Sequence, residues 1–85
     1  MYTLSLSKTV QKRLMRIPRP LADRILSKLE ALAADPYSPS HNVKKLVNRK
    51  GYRLRVGDWR VIFDINDGHL MIFVMELDTR GGVYK

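Results

Sequence analysis

The residues in this chain best suited to chemistry are Arg53, Arg55 and Arg60, set within Gly51-Tyr52-Arg53-Leu54-Arg55-Val56-Gly57-Asp58-Trp59-Arg60-Val61-Ile62-Phe63-Asp64-Ile65. Read with a period of two, the stretch is a pair of strands joined at Gly57-Asp58, because glycine supplies the positive φ that a two-residue hairpin turn needs. The register then pairs Val56 with Trp59, Arg55 with Arg60, Leu54 with Val61, Arg53 with Ile62 and Tyr52 with Phe63. One face is wholly apolar and the other carries the arginines. Like charges placed directly opposite each other cost roughly 0.2–1 kcal/mol relative to a neutral pair. The simplest compensation is an anion, and a fork of guanidinium groups on a rigid sheet suits phosphate. The plainer reading of the same residues is a solvated polar face.

A basic approach segment, Val43 to Lys50, precedes the hairpin, and its Lys44, Lys45, Arg49 and Lys50 are candidate phosphate contacts. A solvated connection is the alternative there. Between Lys44 and Arg60 the sole acid is Asp58. Across all 85 residues, 16 Lys and Arg against 8 Asp and Glu give a net charge of +8, which points to a polyanionic partner. With no cysteine, and with His41 and His69 far apart, neither a disulfide nor a metal centre is expected. No apolar run reaches the ~18 residues of a membrane span, and the N-terminus lacks the regions of a signal peptide, so a cytoplasmic location and no membrane partner are expected.

The elements that must position the arginines are legible as one domain, residues 1–85. Tyr2, Leu4 and Leu6 alternate with polar residues as a first strand. Ser7 or Thr9 caps a helix bearing Val10, Leu14 and Ile17. Pro18-Arg19-Pro20 ends it and opens a second helix with Leu21, Ile25, Leu29 and Leu32 on one face, which stops at Asp35-Pro36. So short a linker makes the two helices an antiparallel hairpin, whose apolar stripes need the apolar face of the sheet. Residues 36–42 form a loop. Asn66-Asp67-Gly68 is a second turn, and His69 to Leu77 a third strand of the meander, apolar on both faces and therefore central or covered. Ile62, Phe73 and Met75 fall near the arginine face and need a cover, either the C-terminal segment or a partner. The glycines of Arg80-Gly81-Gly82-Val83-Tyr84 allow a return of the chain that would bring Arg80 and Tyr84 beside the hairpin. The expected class is α+β, an N-terminal strand and a two-helix hairpin packed on one face of a small antiparallel sheet.

The string Tyr52 to Phe63, preceded by Lys45-Leu46 and followed by Arg80-Gly81-Gly82-Val83-Tyr84, resembles the RelE family of bacterial and archaeal toxins, within the RelE/ParE superfamily. The resemblance runs along the whole chain. It implies a type II toxin that cuts messenger RNA in the decoding site of the 30S ribosomal subunit without a metal or cofactor, by attack of a ribose 2′-hydroxyl on the adjacent phosphate. By the same resemblance Arg53, Arg55, Arg60, Arg80 and Tyr84 form the catalytic set. Arg60 would stabilise the phosphate and Arg80 the leaving group, and Tyr84 would stack on or orient the nucleotide. Where some members carry lysine on the first hairpin strand this chain has only arginine, a poor proton acceptor, so the base is unassigned. Thr79 stands where many relatives have histidine. Two alternatives stay open: a ParE-like toxin that blocks DNA gyrase by protein contact, and a degenerate member that only binds RNA. Either toxin reading implies a cognate antitoxin, with operator DNA bound only through it.

Overall fold

The computed structural model describes residues 1–79, and the segment 80–85, with Arg80 and Tyr84, lies outside the described residues. Seven elements follow in order: β1 (Thr3–Leu6), α1 (Lys8–Arg16), α2 (Arg19–Ala34), β2 (Val43–Lys45), β3 (Tyr52–Val56), β4 (Trp59–Asn66) and β5 (Met71–Thr79). The strands form one sheet in the order β1-β5-β4-β3-β2. Both helices lie on one side of it, as their stripes require.

The helix boundaries follow from local chemistry. Ser7 is the N-cap of α1, its hydroxyl accepting from the Val10 amide at 3.2 Å. Pro20 sits in the first turn of α2, where its missing N–H costs nothing, and Asp35-Pro36 follows the last turn. Val10 from α1 and Ile25, Leu29 and Leu32 from α2 pack on Leu54, Val56, Val61, Phe63, Ile72, Val74 and Leu77 to form one core. Tyr52 and Phe63, cross-strand partners, stack with ring centroids 5.6 Å apart at the margin of that core.

Three features depart from the sequence reading. Val43–Lys45, taken as part of a connecting segment, is a strand: β2 pairs antiparallel with β3, placing Lys44 opposite Arg53 and Lys45 opposite Tyr52. The sheet is mixed rather than antiparallel throughout, because β1 pairs parallel to β5, with Thr3 opposite Met71 and Leu6 opposite Val74. The last strand starts at Met71 and runs to Thr79, after a turn in which Leu70 adopts φ 50°.

β1 ends at Leu6 while β5 continues, so the outer edge of β5 needs another partner. α1 supplies it. The Ser7 amide donates to the Val74 carbonyl at 3.0 Å, the Ser7 hydroxyl to Met75 O at 3.1 Å, and Arg13 Nε to Leu77 O at 3.3 Å. Met75 is the extra residue of a β-bulge, since Ile62 pairs with Glu76 and Phe63 with Val74. The bulge turns Met75 and Glu76 toward the same face of the sheet, the one away from the helices.

Candidate nucleic-acid site on the open face of the sheet

Alternation along β3 and β4 puts Leu54, Val56, Val61 and Phe63 under the helices, which leaves Arg53, Arg55, Arg60 and Ile62 on the opposite face. The hairpin register is the expected one at all five pairs, and Gly57 adopts φ 60° in the turn. Arg55 is exposed, and Arg53 and Arg60 are partly buried. Cross-strand pairing extends the basic row outward, since Lys44 is the partner of Arg53 on β2.

On its other side Arg60 is in register with Asp78 of β5. The sequence reading had not placed an acid there. Asp78 accepts an ion pair from Arg13 of α1 at 2.8 Å, and the Arg13 guanidinium also lies 5.9 Å from the ring centre of Trp59. Part of the electrostatic compensation for the paired arginines is therefore intramolecular, and it ties α1 to the end of the sheet that carries Arg60.

The loop from Leu46 to Gly51 folds over the open face. Asn48 (φ 66°) and Gly51 (φ 122°) make the reversals, and the Leu46 amide donates to Gly51 O at 3.0 Å. A Cβ on Gly51 would lie 2.9 Å from the carbonyl oxygen of Phe63, so the close approach of loop to strand requires glycine. Two ion pairs hold the loop down: Arg49 to Glu76 at 2.6 Å and Lys50 to Asp64 at 3.4 Å. Ile62, only 1% exposed, lies under this loop, and the C-terminal segment that the sequence offered as one possible cover lies outside the described residues. Phe73, which shares the face, remains 40% exposed.

The loop and the sheet enclose a cleft of ≈ 340 Å³ lined by Lys44, Lys45, Leu46, Val47, Arg49, Arg53 and Ile62. A lining that mixes cations with apolar side chains suits a phosphate with an attached ring. Of the candidate phosphate contacts, Lys44 and Lys45 are exposed on β2, whereas Arg49 and Lys50 already pair with carboxylates. Arg55 makes no ion pair among the described residues. The histidines lie elsewhere: His41 Nε2 is 2.7 Å from Asp35 O, and His69 contacts Asn66 in the β4–β5 turn.

At that far end Asp67 accepts hydrogen bonds from Tyr2 (2.5 Å) and Tyr37 (2.8 Å). These bonds hold the Asp67 carboxyl below the usual range and push the Tyr37 phenol up to about 12. The cluster pins the N-terminus and the α2–β2 loop to the β4–β5 turn. It is remote from the arginines.

Set beside known proteins, this layout has clear relatives. The architecture is that of the small α+β toxins of type II toxin–antitoxin systems. A family model described as the ParE toxin of the type II toxin–antitoxin system parDE matches residues 4–84. The archaeal RelE of the RelE–RelB complex from Pyrococcus horikoshii OT3 superposes with a TM-score of 0.81 at 30% identity, over 95% of this chain and 97% of that one. RelBE2 from Mycobacterium tuberculosis, at 22% identity, gives a TM-score of 0.78 over 93% and 98%. A YoeB/ParE toxin from Agrobacterium tumefaciens, at 12%, gives 0.75 over 93% and 98%. The last two bear on the fold alone. No curated protein sequence matches the chain. The chain belongs to the RelE/ParE superfamily of type II toxins, and the Pyrococcus relative it matches is held in a complex with RelB. Among the described residues no helix is long and apolar enough to cross a membrane.

Proposed function

We infer that this toxin is a ribosome-dependent endoribonuclease that cuts messenger RNA in the decoding site and so stops translation in the cytoplasm. The observation that carries the reading is the alignment of Arg53, Arg55 and Arg60 on one rigid face, with Arg55 directly opposite Arg60. In this reading the 2′-hydroxyl attacks the adjacent phosphate. The arginines stabilise the charge that grows on the non-bridging oxygens as the phosphorus becomes five-coordinate. Arg80 serves the departing 5′ oxygen and Tyr84 orients the nucleotide, roles carried by the family resemblance. Lys44, Lys45, Arg49 and Lys50 follow the backbone of the message. A guanidinium is a poor proton acceptor, and the carboxylates described on this face are Asp78 in register with Arg60, Glu76 in register with Ile62 and Asp64 in register with Phe73. Operator DNA is reached only through the antitoxin.

The second reading, a toxin that arrests gyrase by protein contact, is favoured by one observation, that the matching family model is that of ParE toxins. Primer extension on a message translated in a cell-free system decides between them. Cuts that require ribosomes and fade with Arg60→Ala and Tyr84→Ala support the nuclease. Absence of cuts, with inhibited DNA supercoiling, supports the second reading and overturns the first.

A further inference from the structure

The other concentration of positive charge lies on the far side of the sheet edge, on α1. Its nine residues, Lys8-Thr9-Val10-Gln11-Lys12-Arg13-Leu14-Met15-Arg16, hold four cations and no acid. Lys8, Lys12 and Arg16 recur every fourth residue, so they share one exposed strip of the helix, opposite buried Val10. None of the three makes an ion pair among the described residues. The arrangement opposes helix stability twice over: like charges four residues apart repel, and Lys8 places a cation at the positive end of the helix dipole. α2 shows the ordinary solution, with Arg19 paired to Asp23 one turn on.

Position adds a second argument. The fourth cation, Arg13, reaches over the end of the sheet to Asp78, which is in register with Arg60. The strip is thereby held beside the end of the sheet that carries Arg60, and a shallow cleft of ≈ 240 Å³ lined by Thr9, Lys12, Arg13 and Arg16 opens on it. We propose that Lys8, Lys12 and Arg16 form a second docking strip for an RNA phosphate backbone, which holds structured RNA against α1 while the message occupies the open face. This rests on the reading of that face as RNA-directed. It assigns α1 to affinity and not to the cutting step.

The test is a triple neutralisation, Lys8→Gln/Lys12→Gln/Arg16→Gln, compared with a variant of equal net charge on α2, Arg19→Gln/Arg24→Gln/Lys28→Gln. Binding to a short RNA duplex and to vacant 30S subunits is measured across a salt series. Melting temperature checks the fold and should hold or rise in the α1 variant, since repulsion is removed. The α1 variant should bind about tenfold or more weakly at moderate salt, and its salt slope should fall by about 0.9 for each phosphate it no longer neutralises. Cutting by saturating toxin should stay at the wild-type rate. Equal weakening in both variants, or weakening confined to binding of the acidic antitoxin, would overturn the proposal. A wild-type chain that binds RNA through α1 yet cuts no message would leave this surface standing and remove the nuclease reading.

Discussion

Arg55 and Arg60 are direct cross-strand partners, one pair removed from the β3–β4 turn, where their like charges oppose each other. Replacing Arg55 by threonine, a good strand former that is neutral, should leave stability unchanged or raise it by up to about 1 kcal/mol. The same change should reduce message cutting at least tenfold. Urea melts and primer extension on one preparation check both halves. A variant that loses stability together with activity would mean that the paired arginines are structural.

Arg13 joins the two layers at one end of the sheet, through Asp78, Leu77 O and the face of Trp59. Trp59 is the one tryptophan of the chain, so its emission reports on this corner alone. Arg13→Met keeps the apolar stem and removes the charge. Since the Arg13 side chain is 42% exposed, screening keeps the loss small, about 1 kcal/mol or less. The tryptophan emission should shift, while Lys28→Gln leaves it in place.

The Asp67 cluster gives the fold a defined pH response. Hydrogen bonds from Tyr2 and Tyr37 depress the Asp67 carboxyl, so its contribution is complete above the ordinary carboxylate range and is lost as pH falls through its lowered value. Tyr37, pushed up to about 12, contributes fully below the ordinary phenol value and loses that contribution as pH rises through about 12. Tyr37→Phe should therefore lower the melting temperature at neutral pH and flatten its alkaline decline. Thermal melts at neutral and alkaline pH on the two proteins check the sign.

Gly51 and Gly57 both have positive φ, but only the first is crowded. Gly51→Ala meets the Phe63 carbonyl and should cost roughly 1–3 kcal/mol. Gly57→Asn, at φ 60° with only Arg24 Nη1 nearby at 3.8 Å, should be tolerated. Equal losses in denaturant melts would contradict the close approach of the loop to β4.

The hairpin was legible because alternation and the Gly57-Asp58 turn are local and agree with each other, and the helices because Ser7, Pro18, Pro20 and Pro36 punctuate them. What was hidden depends on distant partners. Val43-Lys44-Lys45 has no strand signature of its own and becomes one through β3. The apolar run from Leu70 to Met75 masks both the bulge and the parallel pairing with β1, since residues apolar on both faces carry no register. The arginine row could be read from the sequence, but the acids that temper it could not. Asp78, Glu76 and Asp64 reach the face only by way of β5 and β4, and they engage Arg13, Arg49 and Lys50, which lie 14 to 65 residues away along the chain. The expected places of Arg80 and Tyr84 lie outside the described residues.

The pairing of β1 with β5 also sets an order of events. Ser7 and Met75, joined at the edge of the sheet, are 68 residues apart in the chain. β5 lies between β1 and β4, so the sheet cannot close until the last strand has been made, and pairings of such long range slow folding. The arginine face is therefore complete only once β5 has joined both β1 and β4.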